Sequence, residues 1–432
     1  MVWWLALALA GPFEEGVEAL KRGDRVAART LLTQAAEADP KAIGPRWELG
    51  WACWVDDDFA CSAAQWADVQ TLDADHEDVG FWLQAARTRQ QLKAAGGSNP
   101  EVATSPDGEG GIRFVAAGDT MMGSDLRRGD AGLPPSDGAG IFDGVKSIFQ
   151  GADVAFLNLE GPLADDLPSS KCKPGSTSCY AFRTPTRYAK NLVDAGVDVV
   201  SLANNHAFDL GAAGQQSTMD ILDRVGIAHA GRYGDVGTVV VGETKVAVVA
   251  AHSGSCCLNV NRLDEVQAAI READKTHDLV VLSFHGGAEG ARARHVPGKT
   301  EVAWGERRGD VKALARAAVD AGADLVIGHG PHVLRAMEVY KGRLVAYSLG
   351  NFMGYAQFGT QGGLGGHTVM VDAVLAPNGA LVSAKLHAIR LDERSVPSVD
   401  EAGVGLGHVR ELTAADFPET GVTVEEDGSL SW

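Results

Sequence analysis

The chain is 432 residues long, 45% hydrophobic, with a formal net charge of −19. That length accommodates two or three domains and a large buried core. The acidic balance, with no lysine- or arginine-rich run, excludes a nucleic-acid partner, because phosphate backbones need a basic surface.

Residues 1–11, MVWWLALALAG, are apolar but too short to span a bilayer. Ala8-Leu9-Ala10 fits a small-residue cleavage site, so this stretch reads as a secretory signal peptide and the protein as periplasmic or extracellular. The usual basic n-region is missing, which leaves an apolar first helix, or a start codon set too late, as the other readings. No later stretch reads as a transmembrane helix. Residues 12–93 carry helical periodicity and no strand signal. A repeat of about 34 residues, the tetratricopeptide period, runs through them. Gly16 and Gly50 lie one period apart. Ala28, Leu32, Ala35 and Pro40 of the first unit correspond to the places held in the second by Ser62, Trp66, Val69 and the residues after them. Trp47, Trp51 and Trp54 follow a helical spacing and read as packing between helices. Two such units need a cover at the open end, and FWLQAARTRQQL (residues 81–92) is suited to it. This helical domain could dock a protein partner.

Residues 94–111 are Gly-, Ser-, Pro- and acid-rich and read as a linker. From Ile112 strands and helices alternate, and after Pro331 two hairpins follow, one turning at Lys341-Gly342 and one across Pro377-Asn378-Gly379. The expectation is a mixed α/β domain over 112–395 and a patternless surface tail over 396–432. Among six cysteines, Cys172 and Cys179 bracket a Pro-Gly turn, and Cys53 and Cys61 flank a helical turn, so each pair could form a disulfide. Cys256 and Cys257 are adjacent, a spacing that geometry usually opposes. Free buried thiols are the alternative for all six.

Five apolar runs of buried-strand type end in polar, metal-seeking residues: Asp119, Glu160, Asn205-His206, His285, and His329 with His332. Ligands in open α/β sheets gather at the carboxyl ends of strands. Two carboxylates, an amide and four imidazoles on one rim make a divalent-metal site of Mn, Fe, Zn or Co type. His206, left off the metal, could protonate a leaving group, with Asp209 three residues on to hold its ring. Arg183 could bind an anionic substrate bidentately. Each residue alone has a simpler reading: Asp119 as a cap, Glu160 as a partner of Arg183, Ser348 and Asn351 as strand-end and turn residues. His229, His252 and His387 read as hydrogen-bonded core histidines.

Residues 112–355 resemble the CapA family of capsule or poly-γ-glutamate synthesis proteins, of calcineurin-like metallophosphoesterase fold. The resemblance rests on AAGDTMMG (116–123), FLNLEGPL (156–163), YAFRTP (180–185), SLANNHAFDLGAAG (201–214), FHGGAE (284–289), AGADLVIGHGPHV (321–333) and YSLGNF (347–352), in the family's order. It implies a layered α/β sandwich, with Asp119, Glu160, Asn205, His285, His329 and His332 as metal ligands and His206 as the catalytic imidazole. Glu289, Ser348 and Asn351 stand near them. Two departures matter. Met121 stands where many metallophosphoesterases carry the histidine of an Asp-x-His, and thioether is a poor ligand for hard ions, so one tight metal is expected and a second that is weak or absent. Gly287 stands where tryptophan is usual, which would widen the pocket. The function implied is an exported metal-dependent hydrolase, acting on a phosphoester or acyl centre of an anionic cell-surface polymer or its precursor. The competing reading is a non-hydrolytic accessory protein that binds metal and polymer and docks to a synthase through its helices.

Overall fold

A computed structural model describes residues 11–21, 24–56, 58–76, 79–94, 111–173, 179–356 and 364–432. The expected signal peptide and nearly all of the expected linker lie outside them. The chain divides into two compact units, one almost wholly of residues 1–100 and the other of the remainder.

The first unit is all helical: Pro12–Lys21, Arg25–Ala38, Ile43–Trp54, Phe59–Leu72 and Val79–Ala94. Its 34-residue repeat is visible atom by atom. Asp24 caps the second helix by accepting from the Ala27 N–H at 3.1 Å, and Asp58, one period later, caps the fourth from the Cys61 N–H at 3.1 Å. Those helices close on Asp39 and Asp73, also one period apart. A Cβ on Gly16 would lie 2.8 Å from Leu32, and one on Gly50 would lie 2.2 Å from the Trp66 indole, so both glycines admit the bulky residue of the next helix. Trp66 is fully buried and meets Trp51 at 5.1 Å between ring centroids, while Trp51 meets Trp82 at 4.5 Å. Edge-to-face packing of this kind is the core role expected of the tryptophans. Cys53 and Cys61 are bonded, with Cα atoms 5.8 Å apart, and join the third helix to the fourth.

The second unit is two β-sheets packed face to face with helices outside. The first sheet runs in the order Pro397–Val399, Leu381–Leu391, His367–Leu375, Ile112–Met121, Val154–Leu159, Val199–Ser201 and Ala228–Ala230, with Asn351–Gly354 also on Ile112–Met121. The second runs Met337–Tyr340, Arg343–Ala346, Leu325–His329, Leu279–His285, Thr244–His252 and Val236–Val241, with Leu258–Asn259 on Thr244–His252. Side chains alternate as strand geometry requires. Val246, Val248, Leu279, Val281, Leu325 and Ile327 face the first sheet's Phe114, Ala116 and Phe156. Their neighbours Ala247, Val249, Val280, Leu282 and Val326 pack under the helices Leu263–Asp274 and Val311–Ala321. Both hairpins form where the turns were expected, with Lys341 and Gly342 at φ 50° and 76°.

One expectation is corrected. Residues 396–432 are no surface tail. Pro397–Val399 pairs with Leu381–Leu391, and the helix Val404–Asp416 buries Leu406 and Val409 in the inter-sheet core. Glycines at 403, 405 and 407 lower helix propensity and hid it. The adjacent Cys256 and Cys257, whose state the sequence left open, are bonded to each other. Cys172 and Cys179 are bonded as expected, with Cα atoms 5.6 Å apart.

Candidate functional site

The five strand-end runs split between the two sheets. Asp119 lies near the end of the strand Ile112–Met121, and Glu160 and Asn205-His206 follow other strands of the first sheet; His285 and His329 end strands of the second, and His332 follows one. The carboxyl ends of both sheets converge. Asp119 Oδ2 lies 3.0 Å from His332 Nδ1, and its Oδ1 lies 3.6 Å from His329 Nδ1 and 3.8 Å from His285 Nδ1. Glu160 Oε1 lies 3.7 Å from His332 Nε2 and 3.9 Å from both His285 Nε2 and His206 Nε2. Glu160, His285 and His332 each offer one ligand atom, all within 4.8 Å of one another.

What distinguishes this cluster is its unmet hydrogen-bonding capacity. Both Glu160 oxygens, His285 Nε2, both His329 ring nitrogens and Asn205 Oδ1 are buried without a hydrogen-bond partner among the described residues. A buried polar atom left unpaired costs about 1–3 kcal/mol, so a native fold concentrates several only where something else satisfies them.

The electrostatics follow from burial and crowding. Burial, reinforced by Asp119, pushes the Glu160 carboxyl well above its ordinary value. Burial holds His285 well below the imidazole range and brings His329 down to about 4, so both present neutral lone pairs. Burial also acts downward on His332, but Glu160 and Asp119 outweigh it and raise that imidazole to about 10. Burial raises Asp119, and the hydrogen bond from His332 reverses the sign and lowers it. Asp119 is thus held ionised against His332, while Glu160 resists ionisation until further positive charge stands beside it.

The environment of His206 differs. Its Nδ1 lies 2.6 Å from Asp209 Oδ2, its Nε2 faces Glu160, and Phe182 stacks on it at 4.2 Å. Burial lowers its pKa, with Asp209 opposing. Asn351 Oδ1 lies 2.9 Å from His332 Nδ1 and helps orient that ring, which sits at a left-handed φ of 58°.

Two sequence expectations are corrected, those for Arg183 and Gly287. Arg183 is not free for substrate: Nε and Nη2 donate to the two oxygens of Asp125 at 2.8 and 3.1 Å, and Nη1 donates to the Leu167 carbonyl at 2.7 Å. Ser348 is fully buried and donates to the Val333 carbonyl at 2.7 Å, so it braces the loop behind His332. Gly287 does not widen the pocket. A Cβ there would lie 2.8 Å from Arg335, whose buried guanidinium fills that space and pairs with Glu301 at 2.8 and 2.9 Å. Glu289 accepts from the Trp304 indole N–H at 2.7 Å and lies 3.1 Å from Arg308. Met121 is buried, and its sulfur accepts from the Gly123 N–H of its own turn at 3.0 Å.

Other residues escaped the sequence reading. Asn158 donates to Asp119 Oδ1 at 2.8 Å, lies 3.4 Å from His285 Nδ1, and accepts from Asn204 at 3.1 Å. An amide inside the fully buried strand Val154–Leu159 was the available signal. His252, by contrast, is the hydrogen-bonded core histidine the sequence reading made it: its Nδ1 lies 3.0 Å from the His285 carbonyl, and burial brings its pKa down to about 3. Lys171, whose Nζ lies 3.3 Å from His206 Nδ1, carried no sequence signal.

Comparison with known proteins places these observations in a family. The profile described as "Bacterial capsule synthesis protein PGA_cap" matches residues 113–356. The chain is 30% identical over 272 residues to the PGA biosynthesis protein CapA of Bacillus subtilis (strain 168), covering 59% of this chain and 66% of that protein. It is 29% identical over 263 residues to the capsule biosynthesis protein CapA of Bacillus anthracis, covering 56% and 59%. A probable polyglutamine synthesis accessory protein of Mycobacterium tuberculosis (strain ATCC 25618 / H37Rv) is 28% identical over 244 residues, covering 50% and 58%. The chain thus spans about three fifths to two thirds of the length of these relatives.

Proposed function

From a chain that belongs to the bacterial capsule synthesis PGA_cap family, with an α/β sandwich of metallophosphoesterase type, we propose an exported metal-dependent hydrolase. Its substrate is a phosphoester or acyl/amide centre of an anionic cell-surface polymer, of the poly-γ-glutamate kind that the sequence resemblance implies, during synthesis or release. The observation that carries this reading is the set of buried, unpaired ligand atoms on Glu160, Asn205, His285 and His329, drawn from four separate segments. Oxygen and imidazole donors of that kind suit Mn, Fe, Zn or Co. Glu160, His285 and His332 would hold a first ion, with Asn205 and His329 beside them. Asp119 stands where a second would bind, and Met121 supplies no imidazole there, so that position is weak or absent. A bound divalent ion polarises the centre under attack and acidifies water at neutral pH.

The chain's own residues do the remaining work. His206 keeps its Nδ1 on Asp209, and its Nε2 faces the Glu160 side of the cluster, where it holds a proton for the leaving group. Its lowered pKa makes that proton easier to give. Phe182 fixes the plane of the ring. Export is supported by the apolar, Ala8-Leu9-Ala10-bearing start of the chain and by three bonded cysteine pairs, which suit an oxidising compartment. Among the described residues no helix is long and apolar enough to cross a membrane. The helical unit, with its period of 34, is read as two tetratricopeptide-like repeats that dock a protein partner.

Met121 and the accessory role in the mycobacterial relative's name favour one alternative, a non-hydrolytic protein that binds metal and polymer. Turnover of p-nitrophenyl phosphate, a phosphodiester and γ-linked glutamate oligomers with Mn²⁺, in wild type and His206→Ala, separates the two. Activity lost in the variant supports the hydrolase. Metal bound without turnover on any substrate supports the accessory protein.

A further inference from the structure

One loop grips the His206–Asp209 pair from both sides. On its first arm, Ser169 donates to the Asp209 carbonyl at 2.6 Å. Two residues on, the Lys171 ammonium donates to Asp209 Oδ1 and, at 2.9 Å, to the Asn205 carbonyl. On its second arm, the Phe182 N–H donates to Asp209 Oδ2 at 2.7 Å, and the Phe182 ring covers His206. The Cys172–Cys179 bond closes the loop between those arms, one residue after Lys171 and three before Phe182.

We propose that Lys171, next to the Cys172–Cys179 bond, is a positioning residue that locks Asp209 and thereby His206 in the orientation the site uses. The assignment rests on the hydrolase reading for its kinetic consequence but not for its geometry. Asp209 is fully buried, and a buried carboxylate needs a matched charge and filled lone pairs to keep a single orientation. Oδ2 is shared by the Phe182 N–H and His206 Nδ1, so Lys171 is the cation that fills Oδ1. An ammonium has three donors on a flexible stem, enough to serve Asp209 and the Asn205 backbone together. The same contact ties the His206 ring to the peptide of Asn205, whose side-chain oxygen is one of the unpaired site atoms.

The test compares wild type, Lys171→Met and Lys171→Arg as zinc-loaded full-length chains. The low-field Nδ1–H proton resonance of His206 is assigned by its loss in His206→Ala, and the zinc-to-chain ratio is measured alongside. The expected result is that Lys171→Met keeps its zinc but loses or shifts this resonance. Its kcat falls about 10- to 100-fold with KM unchanged, as for other groups that orient a reacting side chain, and Lys171→Arg recovers most of both. A Lys171→Met protein with the wild-type resonance and kcat overturns the proposal. So does one that loses its zinc together with the resonance, because Lys171 then merely holds the fold of the site. Absence of turnover in wild type sinks the hydrolase reading alone, and the resonance still decides the role of Lys171.

Discussion

The helical unit and the α/β unit are built on opposite kinds of contact. In the helical unit each structural device recurs after 34 positions: the caps Asp24 and Asp58, the closing residues Asp39 and Asp73, the contacts Gly16–Leu32 and Gly50–Trp66. Every one joins residues close in the chain. In the α/β unit the site joins Asp119 to His332 and Glu160 to His285, across two sheets and most of the domain. Repetition makes the first unit readable from local pattern. The second depends on strand order and register, which local pattern does not specify.

Experiments can break that contrast at several depths. The largest effect is expected at the site. His285→Ala should weaken divalent-metal binding by more than about 100-fold, because even outer residues of metal sites cost 10- to 100-fold. Metal-to-chain ratio after dialysis reads it, and full retention of metal would show that the long-range cluster is not a ligand set. Next comes the local core. Trp66→Ala should cost about 3–5 kcal/mol, since it empties a fully buried indole site ringed by four other tryptophans. Chemical denaturation followed by tryptophan fluorescence measures it.

A smaller effect belongs to a cross-strand pair of the first sheet. Arg113 donates to both oxygens of Asp372 at 2.9 and 2.6 Å. Burial raises this carboxyl, but His387 and Arg113 outweigh it and bring it down to about 2, from 3.8. A depressed carboxylate stabilises the fold above its unfolded pKa, and that contribution fades as pH falls from about 4 toward 2. It amounts to about 2.5 kcal/mol. Asp372→Asn should therefore lower stability at pH 7 and flatten the acid limb of a pH–Tm profile. The smallest effect sharpens the repeat itself. Asp24→Ala should cost about 1 kcal/mol by loss of its cap. Asp58→Ala should cost somewhat more, because Asp58 also pairs with Arg29. Two unrelated values would show that the repeat is one of pattern only.

Much of the candidate site was legible, for a physical reason. An Asn-Asn-His or Gly-His-Gly-Pro-His sequence at the end of a buried apolar run is hard to accommodate as structure alone, so it stands out. What escaped had no such contrast. Lys171 lies in a Ser- and Pro-rich stretch that reads as an ordinary turn, and only the disulfide and the fold bring it to Asp209. Arg183 looked free because Asp125, its partner, is 58 positions away. The helix Val404–Asp416 looked like a tail because its glycines suit close approach to the sheet, where a Cβ at 405 would lie 2.7 Å from the Thr368 carbonyl.

Up to about residue 395 the sequence by itself determined most of the elements: which runs are strands, which helices repeat, which turns reverse the chain, and which polar residues stand at strand ends. Those follow from side-chain periodicity and backbone preference, which act over a few residues. Tertiary structure alone decided that the strand ends belong to two facing sheets, which arginines are already paired, and which lysine reaches the imidazole. Those depend on packing between segments far apart in the chain, and the free energy of such contacts exists only once the sheets have closed.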